Sequence, residues 1–245
     1  MSNWYLIQVQ PLEAPNPRLR QGFGGQAYQE LYDELLRPSV LISTPNGRGS
    51  GVVITSTDKI TYILTAAHVV GDEASVKVTF YYYSPNSIDT TITASVVATD
   101  TLKDLALIRT YTYKPYPYVA RLASKDYVPY IFTPIWVIGC SLGYPPRPTS
   151  GEVTAINNHW GINAPIWPGN SGGGVFLKDS HELIGIAILV KVYRGQLVST
   201  MGSIVTLQDI YEFIDLHAHR FTGPAVTHEL VNSYRELKDS KKGGD

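Results

Sequence analysis

From Ser39 onward the apolar residues of this chain fall into short runs rich in β-branched side chains, each closed by a turn-forming stretch. SVLIST (39–44), GSGVVITS (49–56), ITYILTAAHVV (60–70), SVKVTFYYY (75–83), TTITASVVATD (90–100) and DLALIRTY (104–111) are set apart by PNG, TDK, GDE and SPNS. Runs of that length, bounded by such turns, predict the strands of an all-β barrel or sandwich. After the connection YKPYPYVARLASKDYVP (113–129) come IFTPIWVIG (131–139), SGEVTAINN (150–158), GINAPIW (161–167), GGVFLKD (173–179), ELIGIAILVKVY (182–193) and QLVSTMGSIVTL (196–207). Two groups of about six runs predict two similar antiparallel β-barrels, although no sequence repeat joins them.

The pattern changes at both ends. AYQELYDELL (27–36) has helical spacing that puts Tyr28, Leu31 and Leu35 on one side, and Pro38 is expected to end that helix. GFGGQ (22–26) reads as a joint and not a phosphate loop, because no Lys-Ser/Thr follows it in a strand–helix setting. TLQDIYEFIDLHAHRF (206–221) turns helical again, with Thr206 as N-cap and Ile210, Phe213 and Ile214 on the apolar side. AVTHELVNSYRELKDSKKGGD (225–245) reads as one more short amphipathic helix before a polar end. The expected division is an N-terminal extension over 1–37, a first barrel over 38–118, a second barrel with its closing helix over 119–220, and a tail over 221–245.

Composition narrows the function classes. With 245 residues the chain can form one large domain or two small ones. A formal net charge of -1 gives no electrostatic footprint for nucleic acid or for an anionic membrane. No apolar run reaches the length of a membrane-spanning helix, and MSNWYLIQVQPLEAP lacks the features of a signal peptide. Cys140 is the sole cysteine, so no intrachain disulfide can form, which fits a reducing compartment such as the cytoplasm. Within IWVIGCSLG it reads as a small buried core residue and not a reactive thiol. FYYY (80–83) raises the question of a base-stacking surface, but adjacent strand residues point to opposite faces, so a half-buried strand is the simpler reading.

One stretch asks for chemistry. PGNSGGGV (168–175) surrounds a single serine with glycine. A serine hydroxyl attacks only with a neighbouring base, usually histidine, which in turn needs a carboxylate to hold its tautomer and stabilise its cation. In TYILTAAHVV an apolar run ends at Thr65-Ala66-Ala67 and presents His68, with small alanines that let the backbone pack closely. His159, His181, His217, His219 and His228 lie in polar turns or terminal segments. His217 and His219 are two apart and share no helical face, so they read as surface residues and not as metal ligands. Asp104 stands immediately before the apolar run Leu105–Ile108, whereas Asp100 follows VVAT and reads as a turn former. Taken singly, His68 is as well explained by a satisfied, partly buried histidine, and either aspartate by a turn.

TAAHVV, DLALI and GNSGG occur in that order, with 36 residues from His68 to Asp104 and 67 from Asp104 to Ser171. In order and setting the sequence resembles the chymotrypsin-fold serine proteases, and within them the high-temperature-requirement (Deg-type) branch. The resemblance runs from Ser39 to His219 and takes in GRGSGVVI (47–54), VIGCSLGYPPRPTSGEVTAI (137–156), NAPIWPGNSGGGV (163–175) and LIGIAIL (183–189). It implies a chymotrypsin-like pair of six-stranded barrels acting on protein or peptide substrates. It further implies Ser171 as nucleophile, His68 as base, Asp104 as its orienting acid, and an oxyanion hole from the N–H groups of Gly169 and Ser171. An acyl-enzyme intermediate follows, with no metal or organic cofactor. The primary pocket is expected from Asn163, Ala164 and Pro165 and from Ile186, Ala187 and Ile188. None is acidic, so a small or medium apolar residue is expected before the cut, with Ile186–Ile188 pairing the substrate as an added strand.

Some positions depart from the family. Asn170 stands where secreted digestive relatives carry an aspartate that pairs with a cleaved N-terminus, so that form of activation is not expected. Ordering of loops around 141–149 and 190–200 is the expected control. Only 26 residues follow His219, too few for the PDZ domain common in the branch, which turns attention to a regulatory protein partner. A homo-oligomer is compatible, since trimers are common in the branch. Gly174 replaces the more usual proline. The alternative reading is a silent protease-fold binding or scaffold module.

Overall fold

In the computed structural model, which describes residues 25–57, 59–83, 89–112 and 114–221, the apolar runs form twelve strands. Strands β1 (Ser39–Thr44), β2 (Gly47–Thr57), β3 (Ile60–Thr65), β4 (Ser75–Phe80), β5 (Thr90–Asp100) and β6 (Leu105–Tyr111) close into one antiparallel barrel in the order β1-β2-β3-β6-β5-β4. Strands β7 (Pro134–Gly139), β8 (Arg147–Ala155), β9 (Trp160–Ile162), β10 (Gly174–Leu177), β11 (Leu183–Tyr193) and β12 (Gln196–Thr206) close the second in the order β10-β11-β12-β9-β8-β7. The all-β double barrel is therefore what forms.

Burial explains why some runs read as continuously apolar. Successive strand residues face opposite sides, and in β2, β3 and β6 both sides are covered. Val53, Ile63 and Ile108 fill the first barrel, while their neighbours Val52, Leu64 and Leu107 enter a seam between the barrels with Ile138, Phe176, Ile186 and Val205. In β4, by contrast, Val76, Val78 and Phe80 point inward and Ser75 and Lys77 face water, giving a clean alternation. Of GINAPIW only Gly161 and Ile162 join a strand, the short β9. Asn163 Oδ1 there takes the backbone N–H of Glu152 at 2.6 Å and Pro165 has no N–H to give, so the chain leaves the sheet toward the glycine-rich loop.

Among the described residues three α-helices flank the strands. Helix α1 (Gly25–Leu31) runs into a π-type turn over Tyr32–Leu36 and stops before Pro38. Leu35 enters the seam, but Tyr28 stays exposed. The turn is tied to both barrels: Arg37 Nε donates to the Tyr82 carbonyl at 2.8 Å, and Glu34 meets His181 Nδ1 at 2.7 Å. A single-turn helix α2 (Ala67–Val70) follows β3. Helix α3 (Leu207–Leu216) is capped by Thr206, whose Oγ1 accepts the Asp209 N–H at 3.2 Å, and buries Ile210, Phe213 and Ile214. Of FYYY, Phe80 closes β4 and Tyr81 is buried, with Tyr82 and Tyr83 half-buried. Most of GFGGQ and the segment 225–245 lie outside the described residues. Among the described residues no helix is long and apolar enough to cross a membrane, and no cluster of His, Cys, Asp or Glu is placed to hold a metal ion.

Candidate active site

The site forms where the two barrels meet. At the end of β3 the chain passes through Ala66, which is extended, into α2, whose second residue is His68. Thr65 anchors this exit by donating its hydroxyl to the Ser50 carbonyl at 2.6 Å. On the adjacent turn, Asp100 Oδ1 accepts the N–H groups of Leu102 and Lys103 at 2.9 and 3.0 Å, which makes it the turn former. The turn delivers Asp104 with φ of 54°, a left-handed conformation that aspartate tolerates better than most residues. Leu105 then drops into the seam and starts β6.

Asp104 meets His68 through both carboxylate oxygens. Oδ1 accepts the His68 backbone N–H at 2.9 Å, and Oδ2 lies 2.7 Å from Nδ1. An ionised carboxylate only accepts, so Nδ1 carries the proton and Nε2 presents its lone pair. The imidazole is 47% exposed, open to a substrate on that side.

Ser171 comes from the second barrel, on the loop between Ile166 and β10. Trp167, Pro168, Gly169 and Asn170 form a turn closed by Asn170 N–H to the Trp167 carbonyl at 2.9 Å, with Gly169 at φ of 98°. Proline second and glycine third with positive φ is the pattern of a type II turn. The carbonyls of this loop are held one by one: Pro168 by Leu142 N–H at 2.7 Å, Gly169 by Ser50 Oγ at 2.6 Å, Asn170 by Gly173 N–H at 2.9 Å, and Ser171 by Ser50 N–H at 2.7 Å. Among the N–H groups, Asn170, Gly172 and Gly173 are engaged, the second of them with Ala187 at 2.7 Å. Those of Gly169 and Ser171 have no acceptor among the described residues. Two unengaged N–H groups next to a serine are the donors an oxyanion hole needs. A Cβ on Gly172 (φ 84°) would come within 2.2 Å of the Ser50 carbonyl and of Thr65 Oγ1, so the loop lies directly on the exit that carries His68.

The Ser171 hydroxyl is not hydrogen-bonded to His68. Its partner among the described residues is the Ile188 carbonyl at 3.4 Å, a long and therefore weak contact.

The predicted pocket residues divide. Ala164 and Ala187 point into the second barrel and Ile186 into the seam, all with no exposed surface, so these three do not present side chains to a substrate. Strand addition is also displaced. Ile186 pairs with Gly174 on one side and Val205 on the other, and the Ala187 N–H is taken by Gly173 at 2.9 Å. Strand β10 begins at Gly174, so the free edge of β11 starts at Ile188. Asn163 is exposed and Pro165 half-buried, whereas the Ile188 side chain is buried against the seam. Trp167, two residues after Pro165, is 49% exposed; sequence reasoning passed over it because GINAPIW reads as a strand run. Cys140 is fully buried and its thiol is pushed up to about 12 by that burial, leaving it unreactive.

The family model described as Trypsin-like peptidase domain matches residues 49–186, more than half of the chain. Proteins named "Serine protease HtrA-like" are similar: that of Staphylococcus epidermidis is 32% identical over 172 residues, covering 59% of this chain and 26% of its own length. That of Staphylococcus haemolyticus is 28% identical over 167 residues, covering 60% of this chain and 25% of its own. The chain thus spans about a quarter of the length of these curated relatives. A serine endoprotease from Yersinia pestis of known crystal structure shares the fold, with a TM-score of 0.62 and 23% identity over 77% of this chain and 65% of that one.

Proposed function

Starting from a chain that belongs to the trypsin-like peptidase family, we propose that it is a serine endopeptidase in which Ser171, His68 and Asp104 carry the reaction. Ser171 Oγ attacks a peptide carbonyl as His68 Nε2 takes its proton. The carbonyl oxygen becomes an oxyanion received by the Gly169 and Ser171 N–H groups. The C–N bond breaks as Nε2 returns the proton to the leaving amine, giving an acyl-enzyme. Water then attacks with its proton passing to Nε2, the ester bond breaks, and Ser171 regains its hydrogen. Asp104 holds the Nδ1 proton throughout and stabilises the imidazolium.

The observation that carries this reading is the pair of N–H groups beside a serine that have no acceptor among the described residues, in a loop whose neighbouring carbonyls and N–H groups are held by Leu142, Ser50, Ala187 and the loop itself. A silent scaffold has no use for them. Control by loop order follows from the same bonds: once Leu142 releases the Pro168 carbonyl, the Pro168–Gly169 peptide is free to rotate and place that oxygen in the hole. For specificity, a Cβ on Gly202 would meet Ile166 Cδ1 at 2.5 Å, and Gly202 is paired with Val190, two residues beyond Ile188, so an alkyl group lies against this part of the sheet. A small or medium apolar residue before the cut is proposed, and a strong preference for arginine or lysine in a peptide library would refute it.

The test of the activity is labelling by a fluorophosphonate probe in the native chain and in Ser171→Ala. Labelling of the first and not the second is expected; absence of labelling in both removes the endopeptidase reading.

A further inference from the structure

Ser171 lies between two strands. Its hydroxyl faces Ile188 on β11, and its carbonyl accepts Ser50 N–H on β2 at 2.7 Å. A substrate whose acyl side pairs with the free edge at Ile188 must send the chain beyond the cut toward β2. Val69 covers Gly49 there, and a Cβ on Gly143 would come 2.8 Å from Arg48 Nη1, so the guanidinium sits at the corner between the hole's flanking loop and the outer face of the first barrel.

That face carries a cavity of about 460 Å³, whose lining includes Arg48, Lys77, Glu73, Ser43, Ser75 and Thr93. Its order comes from register. Arg48 is opposite Ser43, Ser43 opposite Lys77, and Lys77 opposite Thr93, so the four form one row across β2, β1, β4 and β5. Directly opposite residues share a face, and exposed Lys77 marks this one as the outer. Strands stand about 4.8 Å apart, so the two cations flank Ser43 at roughly 10 Å, a gap both long side chains can close around one carboxylate. Neither is ion-paired among the described residues. Glu73 precedes β4, beyond Ser75 and away from the end where Ser50 meets Ser171, so it borders the far side.

We propose that Arg48 and Lys77 form a subsite for an acidic side chain two or three residues after the cleaved bond, making them specificity-determining residues on the leaving-group side. This rests on the endopeptidase reading. The test is binding, measured by fluorescence anisotropy on Ser171→Ala, of labelled decapeptides with valine before the scissile bond and Glu, Gln or Lys at the second and third positions after it. The Glu peptide is expected to bind about tenfold more tightly than the Gln peptide, with Lys weakest and the preference shrinking as salt is raised. Adding Arg48→Gln and Lys77→Gln, both exposed and removable without touching the core, is expected to equalise Glu and Gln. Equal affinities in the parent, a Glu preference that survives both replacements, or no binding by any peptide would overturn the subsite. Failure of the endopeptidase reading shows separately, as loss of probe labelling in the native chain.

Discussion

His68 and Asp104, on the first barrel, are joined by two hydrogen bonds accepted by one carboxylate, 2.9 and 2.7 Å long, whereas Ser171, on the second, is positioned by backbone bonds of its loop and by Ser50. On one side the proposed working parts are side chains whose identity can be exchanged without altering the chain path. On the other they are two N–H groups whose direction depends on a turn, and the turn on glycines that admit no Cβ. The same site should therefore break in two different ways. A change on the first barrel should alter chemistry at constant structure. A change on the second should alter structure and lose the chemistry as a consequence.

The largest effect is expected from Asp104→Asn. Asparagine keeps an oxygen for the His68 backbone N–H but turns an NH2 toward Nδ1, which moves the ring proton to Nε2 and removes the base. The expected outcome is a fall in kcat of about a thousandfold or more with an unchanged melting temperature. A loss of less than tenfold would mean that the carboxylate serves only to fold the turn. Next comes Gly169→Ala. An alanine at φ of 98° is strained, and its Cβ would sit 2.5 Å from the Cys140 carbonyl, so the turn must shift and carry the Gly169 N–H with it. A drop in kcat of about a hundredfold is expected, with a stability loss of about 1–3 kcal/mol. The downfield Nδ1 proton resonance of His68 should persist, since its bond to Asp104 belongs to the other barrel.

The difference between the barrels also decides what a reader of the sequence can see. Strands that bury both faces, such as β3, announce themselves as apolar runs, and the His and Asp that end and begin such runs stand out against them. Asp100 and Asp104 are separable because a turn former must precede its turn, and Asp100 does so by taking two N–H groups in the turn. The glycine-rich loop is visible as composition. Its hydrogen bonds are not: Leu142 acts through a backbone N–H that any residue but proline would offer. Ile186 and Ala187 looked available because they adjoin the loop, but pairing on both sides of β11 closes that stretch and leaves the edge to Ile188. Trp167 and Arg48 lie inside stretches that resemble the family, but nothing in those stretches marks either side chain as exposed beside the site. Their positions follow from a turn and from strand register, which only folding sets.

Ser50 gives the smallest effect and the sharpest division between the barrels, because it belongs to the first and acts on the second. Its hydroxyl donates to the Gly169 carbonyl at 2.6 Å and accepts the Cys140 N–H at 2.7 Å, 119 and 90 residues away. Ser50→Ala leaves both backbone groups without that partner in a region closed to water, which costs about 1–3 kcal/mol in urea-denaturation stability. The turn itself retains Pro168, the positive φ of Gly169 and the Leu142 bond, so kcat should fall less than tenfold. A variant that keeps its stability but loses activity as severely as Gly169→Ala would show the opposite order of control. The first barrel would then aim the oxyanion hole of the second, and the separation into side-chain and backbone halves would fail at this hydroxyl.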